Sequence, residues 1–173
     1  PDIDVWQGGW SYNGFSNNHI TSADGFAQFI NNVGTGTSYS GQTLYLDIDI
    51  DLNGLNFGNG ENGSNVYYDK ANYFEGTFDG QGHTISGIVV NRPGNNNGLF
   101  GQAGNIKNLT LDNSTIVGNC NPDFAATARD IQDSNTGGLV GILNGTVENC
   151  HVTSSVTVRT GGDYMRNFGG IVG

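Results

Sequence analysis

Apolar residues recur along this chain in three rhythms, and each predicts a different element. From Thr43 to Leu52, TLYLDIDIDL, the pattern alternates: Leu44, Leu46, Ile48, Ile50 and Leu52 fall on one side, Tyr45, Asp47, Asp49 and Asp51 on the other. That is the two-residue period of a strand. In TSADGFAQFINNVGTG the period changes, with Phe26, Phe29, Ile30 and Val33 at i, i+3, i+4 and i+7, one face of a helix. Thr21 or Ser22 supplies its N-cap, Asp24 suits its first turn, and Gly34 is placed to stop it.

The third rhythm is a repeat. TISGIVV (84–90), NIKNLTL (105–111) and TVENCHV (146–152) superpose. Ile85, Ile106 and Val147 form one apolar column; Ile88, Leu109 and Cys150 a second; Val90, Leu111 and Val152 a third. The last two columns are a strand period apart, but the first lies three residues earlier, so the chain must bend between them at Gly87, Asn108 or Asn149. Gly and Asn enter the left-handed region most readily, and stacked bends of this kind can form ladders of side-chain amides. Gly98–Gly101 (GLFG) and Gly138–Gly141 (GLVG) precede the second and third segments, Gly170–Gly173 (GIVG) closes the chain, and Gly76 and Phe78 of GTFDG answer to them in the first repeat. Such a unit buries no apolar face alone, and stacking on its neighbours solves that.

These blocks, with FEGTFDGQGHTI and LYLDIDIDL before them, resemble the GLUG-motif β-helix repeats of large bacterial surface and secreted proteins. Those include filamentous-haemagglutinin-like adhesins and non-catalytic regions of IgA-specific metallopeptidases. The resemblance covers about Ser22 to Gly173 and implies an all-β fold outside the cell, a right-handed parallel β-helix; it implies no single activity. The expected layout is an N-terminal cap with a short helix over residues 1–42, followed by β-helix rungs over 43–173. A solenoid that ends on a bare rung exposes strand edges, so the polypeptide is expected to continue beyond Gly173.

Composition narrows the choice. The 173 residues include 29 glycines without a collagen period, and 13% are charged; apolar columns this regular argue for an ordered chain that spends its glycines on turns. A formal charge of −10 repels phosphate backbones and anionic lipid, so nucleic acid is not an expected partner. No apolar run has the length of a membrane span. Two cysteines, Cys120 and Cys150, are too few for a disulfide framework. A core thiol is the more ordinary reading of Cys150 and a bridge to Cys120 the other.

Candidate chemistry sits in the polar stretches. Residues 1–20 read as irregular structure packed on the first rung, and Trp6 and Trp10 suit capping of the core better than sugar stacking. Asp47, Asp49 and Asp51 alternate along a strand roughly 7 Å apart; a solvated face that resists edge pairing is the stronger reading, calcium the other, since no EF-hand loop is present. Tyr67 and Tyr68, with Tyr73 nearby and Asp69 and Asn72 in support, form a candidate glycan-binding patch, against the more ordinary reading of edge covering. Insertions at 91–97, 118–136 and 159–168 fall at one point of the repeat and so on one side of the stack. The middle one carries helix signals in Asn121, Pro122, Phe124, Ala128 and Ile131.

Catalysis finds little support. Glycosidic cleavage needs two carboxylates across one bond, and Asp79, Asp112, Asp130, Asp133, Glu148 and Asp163 form no cluster in the repeat. The outward strand positions carry Ser86, Lys107 and Glu148, with Val89, Thr110 and His151 beside them. Asp79 and His83 lie in a Gly-rich turn, where Asp is an ordinary turn former. His19, His83 and His151 are isolated from any H-E-x-x-H pattern. The expectation is a non-catalytic, adhesin-like or stalk-like segment of a secreted or cell-surface protein, without a cofactor, whose partners are glycans or a host or cell-surface protein. A β-helix polysaccharide lyase or hydrolase with catalytic residues outside this segment, and a structural spacer of a secreted protease, are the alternatives.

Overall fold

A computed structural model describes residues 14–54, 73–93, 96–119, 135–160 and 167–173. The described residues begin with a hairpin, β1 (Phe15–Ser16) and β2 (His19–Ile20), followed by helix α1 (Ala23–Gly34). Next come β3 (Thr43–Leu46) and β4 (Ile50–Asp51). The following repeat holds β5 (Phe74–Asp79), β6 (Thr84–Ser86), β7 (Val89–Pro93) and β8 (Asn96–Asn97). Its successor holds β9 (Phe100–Lys107), β10 (Thr110–Asp112), β11 (Thr115–Asn119) and β12 (Asn135–Gly137). The last holds β13 (Val140–Leu143), β14 (Val147–Glu148), β15 (His151–Val152), β16 (Thr157–Thr160) and β17 (Asn167–Gly169).

Each repeat contributes to the same four sheets. Their orders are β1-β2-β3-β5-β9-β13 with β14 also on β9, β4-β6-β10-β15, β7-β11-β16, and β8-β12-β17. Among the described residues only β1 and β2 pair antiparallel; every other strand pair is parallel. Parallel strands cannot be joined by tight hairpins, which is why neighbours in each sheet come from successive repeats.

All nine residues of the expected apolar columns face the core. Ile85, Ile88, Val90, Ile106, Leu109 and Leu111 are buried, and Val147, Cys150 and Val152 pack against them from the last repeat. The columns themselves are registered differently from the sequence superposition. Leu44, Phe78, Ile106 and Val147 stand over one another, then Ile50, Ile85, Leu111 and Val152, then Val90, Ile116 and Val158. Phe78 thus answers to Ile106, not to Phe100, and Ser86 to Asp112, not to Lys107. Gly87, Asn108 and Asn149 do have positive φ, at 71°, 54° and 48°, but they serve two different bends. Gly87 donates its N–H to Asn113 O, whereas Asn108 O accepts from Gly82 N.

Gly98–Gly101, Gly138–Gly141 and Gly170–Gly173 do stack: Phe100 pairs with Val140, Val140 with Val172, and Gly138 N donates to Gly170 O. A side chain on Gly138 would collide with that Gly170 carbonyl, and one on Gly141 would stand 2.7 Å from Gly101 O. The glycines of the motif are there because backbones of successive repeats touch.

Three other expectations are corrected. The alternating run 43–52 is two strands, broken at residues 47–49, and Ile48 points out, 41% exposed, while Leu44, Leu46, Ile50 and Leu52 are buried. The break lets the chain leave one sheet for the next. Within the irregular segment expected over 1–20, residues 15–20 form the hairpin, whose β2 extends the first sheet through His19 against Tyr45 and Ile20 against Leu46. Trp6 and Trp10 lie outside the described residues, as does the helix signalled around Asn121.

Helix α1 is as its pattern predicts at its start. Ser22 caps it, its hydroxyl accepting from Gly25 N at 3.0 Å, and Phe26, Phe29, Ile30 and Val33 are buried. Its stop lies two residues beyond Gly34. Gly36, at φ 107°, donates to Val33 O while Thr37 N donates to Asn32 O, the paired bonds of a Schellman end. The apolar face of α1 packs on aromatic side chains of two repeats: Phe26 meets Phe78 edge-on at 6.3 Å, and Phe29 lies within 5.4–6.4 Å of Phe74, Phe78 and Phe100.

Candidate functional site

On the outer face of the first sheet the strand register lines up His19, Tyr45, Asp79, Lys107 and Glu148. The His19 ring stacks on Tyr45, centroids 4.9 Å apart and planes at 21°. Asp79 is the best-connected carboxylate of the column. It accepts from Asn108 Nδ2 and Gln81 N, each at 3.0 Å, and faces Lys107 Nζ at 3.2 Å. Burial pushes its carboxyl up, but those donors and the lysine charge together outweigh it and hold Asp79 below the ordinary carboxylate range.

Beside this column the bends are tied by amides. Asn149 Nδ2 donates to Asn108 Oδ1 at 2.9 Å and Asn108 Nδ2 to Asp79, forming the ladder expected of stacked bends. A second ladder lies at the other edge, where Asn167 Nδ2 donates to Asn135 Oδ1 at 2.7 Å and Asn135 Nδ2 to Asn96 Oδ1 at 3.0 Å. The sequence reading missed it. Its signal is an asparagine shortly before each glycine block, hidden because Asn96 stands two residues before Gly98 but Asn135 and Asn167 three before Gly138 and Gly170.

The three alternating aspartates are all occupied by the protein's own groups. Asp47 holds His19 Nδ1 at 2.8 and 3.0 Å and accepts from Gln81 Nε2 at 2.6 Å. Asp49 Oδ1 accepts from Thr84 N at 2.8 Å and meets His83 Nδ1 at 3.0 Å; the Thr84 bond first, then the histidine, hold its carboxyl low. Asp51 Oδ1 accepts from Asn53 N at 2.8 Å, closing a turn. Among the described residues no group of three or more His, Cys, Asp or Glu is placed to hold a metal ion. Of the other carboxylates, Asp112 accepts from the hydroxyls of Thr153 and Ser155, which hold it low, and Asp130, Asp133 and Asp163 lie outside the described residues.

Of the candidate glycan residues, Tyr67, Tyr68, Asp69 and Asn72 lie outside the described residues. Tyr73 is partly exposed and hydrogen-bonded to the Glu75 carboxylate, which raises its phenol pKa, while Ser38 and then Tyr73 lower that of Glu75. Cys150 is a free, half-buried thiol. Burial raises its pKa, and its Sγ donates to Glu148 O at 3.2 Å. Cys120 lies outside the described residues.

Acid should loosen this face. Because the Asp79 pKa is depressed by folding, its contribution is complete above about pH 4, the ordinary carboxylate value, and is lost as pH falls through its lower folded value. The gap in melting temperature between the wild type and Asp79→Asn should therefore be widest near neutral pH and shrink as pH falls toward about 2. A gap that stays constant would show that Asp79 is not held ionised by Lys107 and Asn108.

Residues 132–157, which include the Gly138–Gly141 block, match the family model described as the GLUG motif, so the chain carries that motif there. Over 104 residues, 58% of its length, the chain is 39% identical to halomucin of Haloquadratum walsbyi, strain DSM 16790 / HBSQ001. That match spans about 1% of halomucin. No solved structure matches the chain.

Proposed function

We propose that this chain is a non-catalytic segment of an exported protein, secreted or at the cell surface, folded as a right-handed parallel β-helix whose N-terminal end is closed by α1. The single observation that carries the reading is the set of four sheets to each of which the three repeats from Phe74 onward contribute strands paired in parallel, so length is gained by adding repeats. The GLUG motif and the likeness to halomucin support a surface-protein setting. The outward carboxylates support a structural role, since Asp47, Asp49, Asp51, Asp79 and Asp112 are engaged by neighbouring repeats or turns. The segment acts as an adhesin-like or stalk-like support that presents a surface to glycans, with Tyr67, Tyr68, Asp69 and Tyr73 as the contact residues.

Binding to an array of surface glycans tests this. Tyr67→Ala or Tyr68→Ala should weaken binding about tenfold, the equivalent of about 1.4 kcal/mol, if each ring packs its apolar face on a sugar. No glycan bound by the wild type would remove the glycan reading. Release of saccharides from a polysaccharide panel would replace it with an enzymatic one.

A further inference from the structure

Three stretches of the described chain read Asn-x-Ser/Thr: Asn108-Leu109-Thr110, Asn113-Ser114-Thr115 and Asn144-Gly145-Thr146. In exported proteins that spacing is the acceptor signal for joining a saccharide to the asparagine amide, and it marks surface loops. Asn62-Gly63-Ser64 has the same form and lies outside the described residues. A signal this short arises readily in an asparagine-rich chain, so it is the surroundings of each amide that separate a usable site from an unusable one.

Asn108 is already committed to the fold. Its Nδ2 donates to Asp79 and its Oδ1 accepts from Asn149 Nδ2, so both ends of the amide belong to the ladder. A sugar on that nitrogen would take the place of Asp79 and break the tie between repeats.

Asn113 and Asn144 are placed differently. Both are exposed, Asn113 in the turn from β10 to β11 and Asn144 in the turn from β13 to β14. Neither side-chain amide is hydrogen-bonded among the described residues. Their backbones, by contrast, are anchored. Asn113, at φ 38°, accepts from Gly87 N through its carbonyl, and Asn144 N donates to Ala103 O at 2.8 Å. The neighbouring repeats are small at these points: Gly87 and Ser155 flank the Asn113 turn, and the Gly104 carbonyl lies against Gly145. Of the third residues of the signal, Thr146 is exposed and Thr115 partly so.

We propose that Asn113 and Asn144 carry N-linked saccharides. The proposal rests on the exported setting inferred above and goes beyond it. The donor is a saccharide joined through C1 to a lipid phosphate. Asn Nδ2 attacks C1 and forms the C1–N bond, the C1–O bond breaks with its electron pair leaving on the lipid phosphate, and the displaced amide proton passes to a base of the transferase. One saccharide then stands at the border of the second and third sheets and the other on the first sheet, and neither displaces a bond of the fold.

Peptide mapping of the full chain recovered from its natural source, with fragmentation that keeps sugars attached, tests this. Saccharide mass should be found on Asn113 and on Asn144 and be absent from Asn108. Thr115→Val should abolish the Asn113 increment and leave the Asn144 increment in place, while Thr115→Ser keeps both, because the transferase reads the hydroxyl. Asn144→Gln should remove the Asn144 increment alone. An Asn113 increment that survives Thr115→Val would overturn the assignment to this signal, and saccharide on Asn108 of the folded chain would overturn the rule that the ladder excludes it. Bare Asn113 and Asn144 on chain recovered outside the cell would overturn the proposal and leave the exported setting intact. Bare asparagines on chain found only inside the cell would overturn both.

Discussion

Leu109→Asp should leave a chain without a cooperative thermal transition. Leu109 is 1% exposed and lies against the backbone of the Gly80 turn, with no room for water. A carboxylate there has no cation to meet, and an uncompensated buried charge costs several kcal/mol, comparable with the total of about 5–15 kcal/mol that holds a domain folded. Glu148→Gln, two positions from Cys150 on the exposed side, should melt within a degree or two of the wild type, as surface changes within about 0.5 kcal/mol do. Circular dichroism melts of the two variants check this directly. Equal melts would show that the inside and outside of the repeat have been assigned wrongly.

Phe29→Ala is the second large effect, expected to cost about 3–5 kcal/mol. Phe29 is fully buried and touches Phe26, Tyr39, Phe74, Phe78 and Phe100, so its removal opens a void that neighbours from three elements would have to fill. The loss should begin at the capped end. Hydrogen exchange should speed first in α1, β3 and β5, with β11 and β16 protected longer. Uniform loss of protection through all four sheets would show instead that the cap and the repeats unfold as one unit.

Much of this molecule was legible because its periods are clean. The i, i+3, i+4, i+7 spacing of α1 and the nine apolar positions of the repeat all face the core. The register was not legible, and Ser114 is the reason. The correct partner of Ile88 is Ser114, whose hydroxyl accepts from Ile88 N and donates to Asp112 O. A buried polar residue thus interrupts the column that would have identified the match, and TISGIVV aligned instead with NIKNLTL, whose apolar spacing is the same. The true offset is taken up by extra residues in the turn at Gly80–Gly82. Nor could spacing choose between Gly34 and Gly36 as the helix stop, because only the bond from Thr37 N to Asn32 O decides it. The break at 47–49 was hidden by alternation that continues across it, with Ile48 an apolar residue on the outside.

The site was less legible than the fold. In sequence Asp47, Asp49 and Asp51 read first as a solvated face and only second as calcium ligands, and neither reading named their partners. The partners of Asp47 and Asp49, namely His19, Gln81, His83 and Thr84, lie 28 to 35 residues away in sequence, a distance that only the stacking register closes. A strand-period argument places side chains on a face but does not say what stands on the strand next door.

Gly138 and Gly141 have a bearing beyond this chain. What fixes them is the meeting of one backbone with the next, with no outward atom involved, so the demand for glycine persists whatever the surface is used for. Exposed positions that tie no neighbouring repeat can change without touching this demand, so the motif by itself says little about what a chain carrying it binds.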